Sequence, residues 1–237
     1  MQKHRLRLLA ASIASLTIVA GIAAYFSSGD MVTNSLDAAA LRIRIQEPSW
    51  QNNPAIVPNQ KVDKDPYIRN TDETPAYVFL QVTVPAQDVG IEDDQPDADK
   101  GKLLTDDPQS VPLFRFINSS GDYTDDPLSP DQCYNSGWYF MEMTQIKDAS
   151  GAVLDYTYLY AYVGDNGGST LEVLNPGKQT KTPLFNKVLF CNAREDDSLP
   201  GSLQTIGIEA FGIQTEHLKS SGQTETEAES VWQYLKK

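Results

Sequence analysis

Alternation of apolar and polar residues is the dominant pattern of the chain beyond residue 40. In residues 41–45 the aliphatic side chains fall on one face and two arginines on the other, and residues 77–84 place four aliphatic side chains on one face. This period of two is typical of half-buried β-strands. Segments rich in aromatic and β-branched residues predict further strands at residues 138–146, 156–163, 187–190 and 206–213.

Turn-forming residues separate these segments. Asp, Asn, Gly, Pro and Ser cluster at residues 148–151, 165–168 and 175–177, where they favour turns. Short strands separated in this way predict an all-β fold, a jelly-roll-like β-sandwich with long inserted loops and a short C-terminal helix. No break in composition divides residues 25–237, which are therefore interpreted as a single domain.

Two segments do not fit the sheet pattern. Residues 88–108 are acidic and contain proline, which predicts a long acidic loop. Residues 224–237 begin with glutamates and end with two lysines, an order that complements the helix dipole and predicts the C-terminal helix. The alternative for this second segment is a frayed chain end.

The N-terminus has the three parts of a secretory signal peptide. Residues 1–7 carry three basic side chains, an apolar run follows, and small residues lead to Ala24 and Tyr25. Residues 1–24 are therefore predicted to be a signal peptide that is cleaved between Ala24 and Tyr25, so that the protein contacts the membrane only before cleavage and is then secreted. The alternative is a retained membrane anchor, because the apolar run is close to the length that spans a bilayer.

The charge of the chain narrows the range of partners. The formal net charge is −13, and loss of three basic residues with the signal peptide lowers it to −16. Such a chain repels the phosphate backbone of nucleic acids and anionic lipid surfaces, so neither is an expected partner. The charge suits a protein that works outside the cell.

Cys133 and Cys191 are the two cysteines of the chain. In an oxidising exterior an even number of cysteines favours a disulfide, here one that would close a long loop. Two buried thiols are the alternative, because spacing alone does not show whether the Cα atoms lie within bonding distance.

An ordered series of short motifs runs along the mature chain. The motifs are residues 25–39, which include Val32-Thr33-Asn34, and residues 41–43, 56–72, 76–78, 174–177, 182–188 and 208–214. The series resembles the TasA/camelysin family, exported matrix-fibre proteins of Gram-positive bacteria, and it leaves residues 88–108 and the region around Cys133 uncovered. In this sequence Ala39 stands where the family usually has glycine, and Asn59 replaces the turn glycine after Pro58, a substitution that the positive φ tolerance of asparagine permits.

The resemblance implies a jelly-roll-like sandwich, a dedicated signal peptidase of the SipW type and a homopolymer that forms extracellular fibres. Assembly in such proteins uses donor-strand exchange, in which a freed N-terminal segment completes the sheet of the next subunit. Here that flexible segment would be residues 25–36, with Met31, Val32 and Leu36 as the apolar side chains of the donor strand. The alternative is that the segment pairs within its own domain as an edge strand.

Some relatives are described as metallo-endopeptidases, which makes a protease the enzymatic alternative. A zinc protease needs clustered imidazoles, commonly as His-Glu-x-x-His. The chain has His4, which leaves with the signal peptide, and His217, which stands alone. The sequence therefore predicts a protein that is not an enzyme and needs no cofactor.

Calcium is the one metal that the acidic loop suggests. Asp97, Asp99 and Gly101 weakly resemble a calcium-binding loop, but the further ligands of such a loop are missing and Lys100 and Lys102 intervene. The alternative is a solvated run of charge.

Four tyrosines at every second position, Tyr156, Tyr158, Tyr160 and Tyr162, share one face of a predicted strand. Exposed, they could bind a glycan or a partner; buried, they would fill the core between two sheets, which is the favoured interpretation. The leading functional hypothesis is a secreted fibre subunit. A monomeric surface adhesin or glycan-binding sandwich is the alternative.

Overall fold

The computed structural model describes residues 31–34, 41–50, 58–93, 109–124, 126, 133–193, 206–222 and 224–236. This part of the chain forms eleven strands and two short helices, and the predicted all-β sandwich with a C-terminal helix is confirmed. The signal peptide and its cleavage site at Ala24 and Tyr25 lie outside the described residues.

Six of the eleven described strands, which are numbered in chain order, correspond to segments predicted from the residue pattern. The predicted strand at 187–190 is matched at both ends, and the others differ by a few residues. The strands are β1 Met31–Asn34, β2 Leu41–Gln46, β3 Lys61–Asp63, β4 Tyr67–Asn70, β5 Ala76–Val89, β6 Gln109–Pro112, β7 Phe114–Ile117, β8 Trp138–Lys147, β9 Val153–Tyr162, β10 Lys187–Phe190 and β11 Gly207–Gln214; the helices are α1 Thr215–Ser220 and α2 Ala228–Leu235.

Three antiparallel groups of strands form the sandwich. The large sheet has the order β11-β5-β9-β8, and β6 pairs with the far end of β5. The two smaller sheets have the orders β1-β2-β4 and β3-β10-β7. The main hydrophobic core contains residues from all three groups, so the small sheets cover one face of the large sheet.

The core places β5 and β9 side by side. Val78, Leu80, Val82 and Val84 of β5 are all fully buried, as the alternation predicts. The four tyrosines of β9 are at most 6% exposed and belong to the same core. Core packing of the tyrosines is therefore confirmed, and they do not form an exposed surface that could bind a glycan.

Helix α2 creates a second core on the other face of the large sheet. Trp232 packs with its ring centroid 5.2 Å from that of Phe79 and 5.4 Å from that of Phe211. The helix is shorter than the predicted range 224–237, because the residues before it are extended: Leu171 donates a backbone hydrogen bond to Thr226, and Thr170 forms a β-bridge with Glu227. No helix in the described part of the chain is long and apolar enough to span a membrane.

The predicted loop at 88–108 begins too early. Asp88 and Val89 belong to β5, where they pair with Ser110 and Gln109 of β6. Val89 is 1% exposed and is part of the core, so local apolar burial outweighs the acidic composition that follows. Residues 94–108, including the calcium candidates Asp97 and Asp99, lie outside the described residues.

The turn before β3 uses asparagine in the left-handed region. Asn59 has φ 59°, and its backbone N–H donates to the carbonyl of Phe190 at 3.1 Å. The expectation that Asn59 tolerates a positive φ in this turn is therefore confirmed.

Candidate assembly surface

The segment proposed as a donor strand is present as β1 at the edge of the small sheet. Its four residues pair antiparallel with β2, Met31 opposite Arg44 and Asn34 opposite Leu41. In the isolated chain, therefore, the segment pairs within its own domain, the second of the two alternatives. Met31 and Val32 lie in β1, and Leu36 lies outside the described residues.

The hydrogen bonds of β2 show which of its backbone groups face β1. The N–H of Arg42 donates to Asp72 Oδ2 at 3.0 Å, and its carbonyl accepts from the N–H of Thr71 at 2.9 Å. Both partners lie on the β4 side of β2. Because backbone groups alternate along an extended strand, those of Leu41 and Ile43 point toward β1.

The side chains of β2 fix the strand to the core. Leu41 and Ile43 are 3% and 1% exposed, whereas Arg42 and Arg44 are exposed. The side chains of Leu41 and Ile43 cover Gly212 of β11, where an added Cβ would lie 2.5 Å from Leu41 Cδ2. Burial of two aliphatic side chains therefore holds β2 in place from the face opposite the arginines.

The segment after β4 holds β2 from its other edge. The buried amide of Asn70 donates to the carbonyls of Thr74 at 2.8 Å and Leu174 at 2.9 Å, and its Oδ1 accepts from the N–H of Asp72 at 2.9 Å. This network orients Asp72 toward Arg42. Asn70, Thr71 and Asp72 belong to the motif series, and an Asx turn is the sequence signal that could have shown their structural role.

The carboxylate of Asp72 is stabilised in its charged form. Burial acts to raise its pKa, but backbone hydrogen bonds from Arg42, Glu73 and Thr74 and the hydroxyl of Thr74 outweigh burial, and the pKa of Asp72 lies below its usual value. Asp72 therefore stays ionised at neutral pH and continues to accept the hydrogen bond from Arg42.

His217, the imidazole considered for a metal site, has a packing role. It lies in α1, with Nε2 3.1 Å from the hydroxyl of Tyr234 in α2. The described residues contain no group of three His, Cys, Asp or Glu side chains that could hold a metal ion. His217 therefore links the two helices, and the non-enzymatic interpretation stays a prediction.

The two cysteines differ in burial. Cys191 is buried in the main core, and its N–H donates to the carbonyl of Leu113 at 2.9 Å. Cys133 is half-buried. The choice between a disulfide and two thiols stays a prediction.

The candidate assembly surface is thus the edge of β2, with β1 paired along it. Comparison of the chain with protein-family models, with curated proteins and with solved structures found no match. The resemblance to the TasA/camelysin family therefore stays a prediction from the motif series, and the function has to be argued from the geometry of this edge.

Proposed function

We propose that the protein is a secreted structural subunit that forms extracellular fibres by exchanging β1 between copies. In this proposal residues 1–24 direct export, a signal peptidase of the SipW type frees the N-terminal segment, and β1 of one copy pairs with β2 of the next. The observation that carries the proposal is the position of β1, a four-residue strand at the edge of its sheet with β2 as its paired neighbour.

The energetics of exchange support the proposal. A backbone hydrogen bond contributes about 1 kcal/mol net, so a ladder of four residues holds β1 in place only weakly. When β1 pairs with β2 of another copy, the same residues meet in the same register. The exchanged state therefore recovers the bonds that were broken, and it differs mainly in the entropy of association.

The acceptor edge does not depend on β1 for its shape. Leu41 and Ile43 anchor β2 in the core, and Asp72 and Thr71 bond its other edge. If β1 leaves, the backbone groups of Leu41 and Ile43 are left without strand partners while β2 stays in place. Such an edge favours the binding of an extended segment.

A cross-strand disulfide that locks β1 to its own β2 tests the proposal. Thr33 lies opposite Arg42, so the double variant Thr33→Cys/Arg42→Cys should form this lock, since opposed Cα atoms are about 4.5 to 5.5 Å apart. We expect the oxidised variant to form no filaments by electron microscopy and to regain them after reduction. The wild type, treated identically, controls for effects on Cys133 and Cys191.

The matched control is Arg44→Cys/Arg69→Cys, which links β2 to β4 within one subunit at a second opposed pair. This variant should assemble in both redox states. Filaments from oxidised Thr33→Cys/Arg42→Cys protein whose disulfide lies within one chain, as judged by non-reducing gel electrophoresis, would contradict strand exchange.

A second experiment compares the chain beginning at Tyr25 with one beginning at Asp37 over a concentration series. Filaments from the longer form alone would support β1 as the donor. A protein that stays monomeric when it begins at Tyr25 would contradict the fibre proposal and favour the monomeric adhesin.

A further inference from the structure

Strand β8 ends the large sheet, and its outer half is exposed. Residues 142–147 are all exposed, although β9, the strand paired with β8, is buried from Tyr156 to Tyr162. Beyond β9, no strand among the described residues pairs with β8. Alternate residues of such an edge direct their N–H and carbonyl groups away from the sheet, where they can bind another strand.

Large apolar side chains are concentrated at this edge. Met143 is 42% and Ile146 44% exposed on β8, whereas Leu154, which is 47% exposed, lies on the neighbouring strand β9. Exposed edges are commonly protected by proline, lysine or bulges. In β8 the register shifts between Phe140 and Glu142 and again between Ile146 and Lys147, and a lysine ends the strand, but residues 143–146, between the two irregularities, carry no charge and no proline.

The local neutrality of β8 allows a second copy of the chain to bind there. Two copies of a chain with formal charge −13 repel each other, so contact between them requires a locally neutral surface. Strand β8 provides one, because it contains a single acid, Glu142, and a single base, Lys147. Glu142 is also bound by Lys236 of its own chain at 3.0 Å.

The edge of β8 is the same in every copy, so two copies can pair there without breaking a strand pairing that the described residues form. In a two-fold antiparallel pair the face of each large sheet that covers the main core lies on the same side of the joined sheet. Each residue therefore lies opposite a residue from the same face of the other copy. Centring the pair on Thr144 places Thr144 opposite itself, Met143 opposite Gln145 and Glu142 opposite Ile146. Centring it on Gln145 would place Glu142 opposite Asp148, two like charges.

We propose that β8 pairs antiparallel with β8 of a second copy, centred on Thr144, to give a two-fold dimer with one continuous sheet. This contact goes beyond the proposed strand exchange, since it uses the opposite end of the large sheet from β11, on which β2 rests. It would join subunits side by side whether or not β1 is exchanged.

Cysteine crosslinking tests the register. In the proposed dimer Thr144 faces its own copy, so Thr144→Cys should give a disulfide-linked dimer under mild oxidation, at an opposed Cα distance of about 4.5 to 5.5 Å. The matched control, Gln145→Cys, faces Met143 and should crosslink several-fold less than Thr144→Cys. Equal crosslinking of the two variants, or none from Thr144→Cys, would overturn the proposed pairing.

Sedimentation velocity tests the dimer without added cysteines at the edge. The measurement uses the oxidised Thr33→Cys/Arg42→Cys chain, in which β1 is locked, so that fibre formation does not interfere. We expect a concentration-dependent dimer that is lost in Met143→Lys/Ile146→Lys and kept in Leu154→Lys, an equally exposed side chain on β9. A locked chain that stays monomeric would overturn the β8 dimer and leave strand exchange standing. If the chain forms dimers but the unlocked wild type never forms filaments, strand exchange is overturned and the β8 dimer stands.

Discussion

Gly212 of β11 lies directly beneath Leu41 of β2, and a Cβ added to this glycine would lie 2.5 Å from Leu41 Cδ2 and 3.4 Å from Ile43 Cδ1. This close approach joins the small sheet that carries β1 to one edge of the large sheet. The missing side chain, rather than an unusual backbone conformation, is what glycine supplies here.

Gly212→Ala should therefore displace β2. The methyl group meets two side chains that are themselves buried, and such overpacking typically costs about 1 to 3 kcal/mol. Urea unfolding measures the loss of stability, and hydrogen exchange should be faster at the amides of β2. Gly207→Ala is the control, since its Cβ would lie at an ordinary 3.4 Å from Thr83 Cβ. Equal stabilities of the two variants would contradict this account.

Trp232 should carry most of the stability of the second core. It is 8% exposed and packs on Phe79 and Phe211, so Trp232→Ala should lower the free energy of unfolding by about 3 to 5 kcal/mol. Its Nε1 has no hydrogen-bond partner among the described residues. Trp232→Phe should therefore cost much less than Trp232→Ala, because it removes this buried donor as well as some area.

Glu209 should make stability depend on pH. The side chain is half-buried on β11, where it accepts a hydrogen bond from Gln81 at 3.2 Å, and burial raises its pKa above the ordinary value of 4.5. A carboxyl group whose pKa is raised by folding stabilises the fold below its unfolded pKa, and that stability is lost as pH rises through the folded pKa.

Glu209→Gln removes this titration and keeps an acceptor for Gln81. The variant should match the wild type in acid and become the more stable protein as pH rises above 4.5, as measured by urea unfolding at a series of pH values. Glu225→Gln, at an exposed carboxylate, is the control. A constant difference across the series would show that the titration of Glu209 is not its cause.

Asn59 should be replaceable by glycine but not by alanine. Its φ of 59° places it in the left-handed region, where a residue with an ordinary Cβ loses about 1 to 2 kcal/mol. Asn59→Ala should lower the free energy of unfolding by about 1 to 2 kcal/mol. Asn59→Gly should keep the free energy of unfolding within about 0.5 kcal/mol of the wild-type value. Chemical denaturation of the three proteins side by side makes the comparison.

The strands with long alternating segments, or with segments rich in aromatic and β-branched residues, could be predicted from the sequence, and several of the shortest strands could not. Residues 187–190 match β10 because Val188, Leu189 and Phe190 form an apolar run with β-branched and aromatic residues, and all three are buried. All four residues of β7 are buried, including Arg115, whose Nη1 donates to the carbonyl of Thr124 at 3.1 Å. Phe114, Arg115 and Phe116 alternate in polarity over too few residues to establish a period, so the pattern does not predict β7.

The candidate surfaces were less accessible to sequence reasoning than the strands. The motif series identifies the segment that contains β1 but does not show which strand it pairs with. The exposed edge of β8 depends on the order of strands in the sheet, which local periodicity does not encode. Likewise, Phe79 lies on the face of β5 opposite Leu80, and both faces are buried because α2 covers the second.

The antiparallel register of β1 with β2 also determines how the contact would respond to tension. Within one subunit, Met31 and Arg44 lie at the same end of the ladder, so a pull on the N-terminus opens the pairs one after another. After exchange, tension would pull β1 of one subunit at Asn34 and β2 of the other subunit at Gln46, which are the C-terminal residues of the two strands. Because the strands are antiparallel, Asn34 and Gln46 lie at opposite ends of the ladder. The load is then shared by all the bonds at once, so the same short ladder that releases β1 easily would resist the stretching of a fibre.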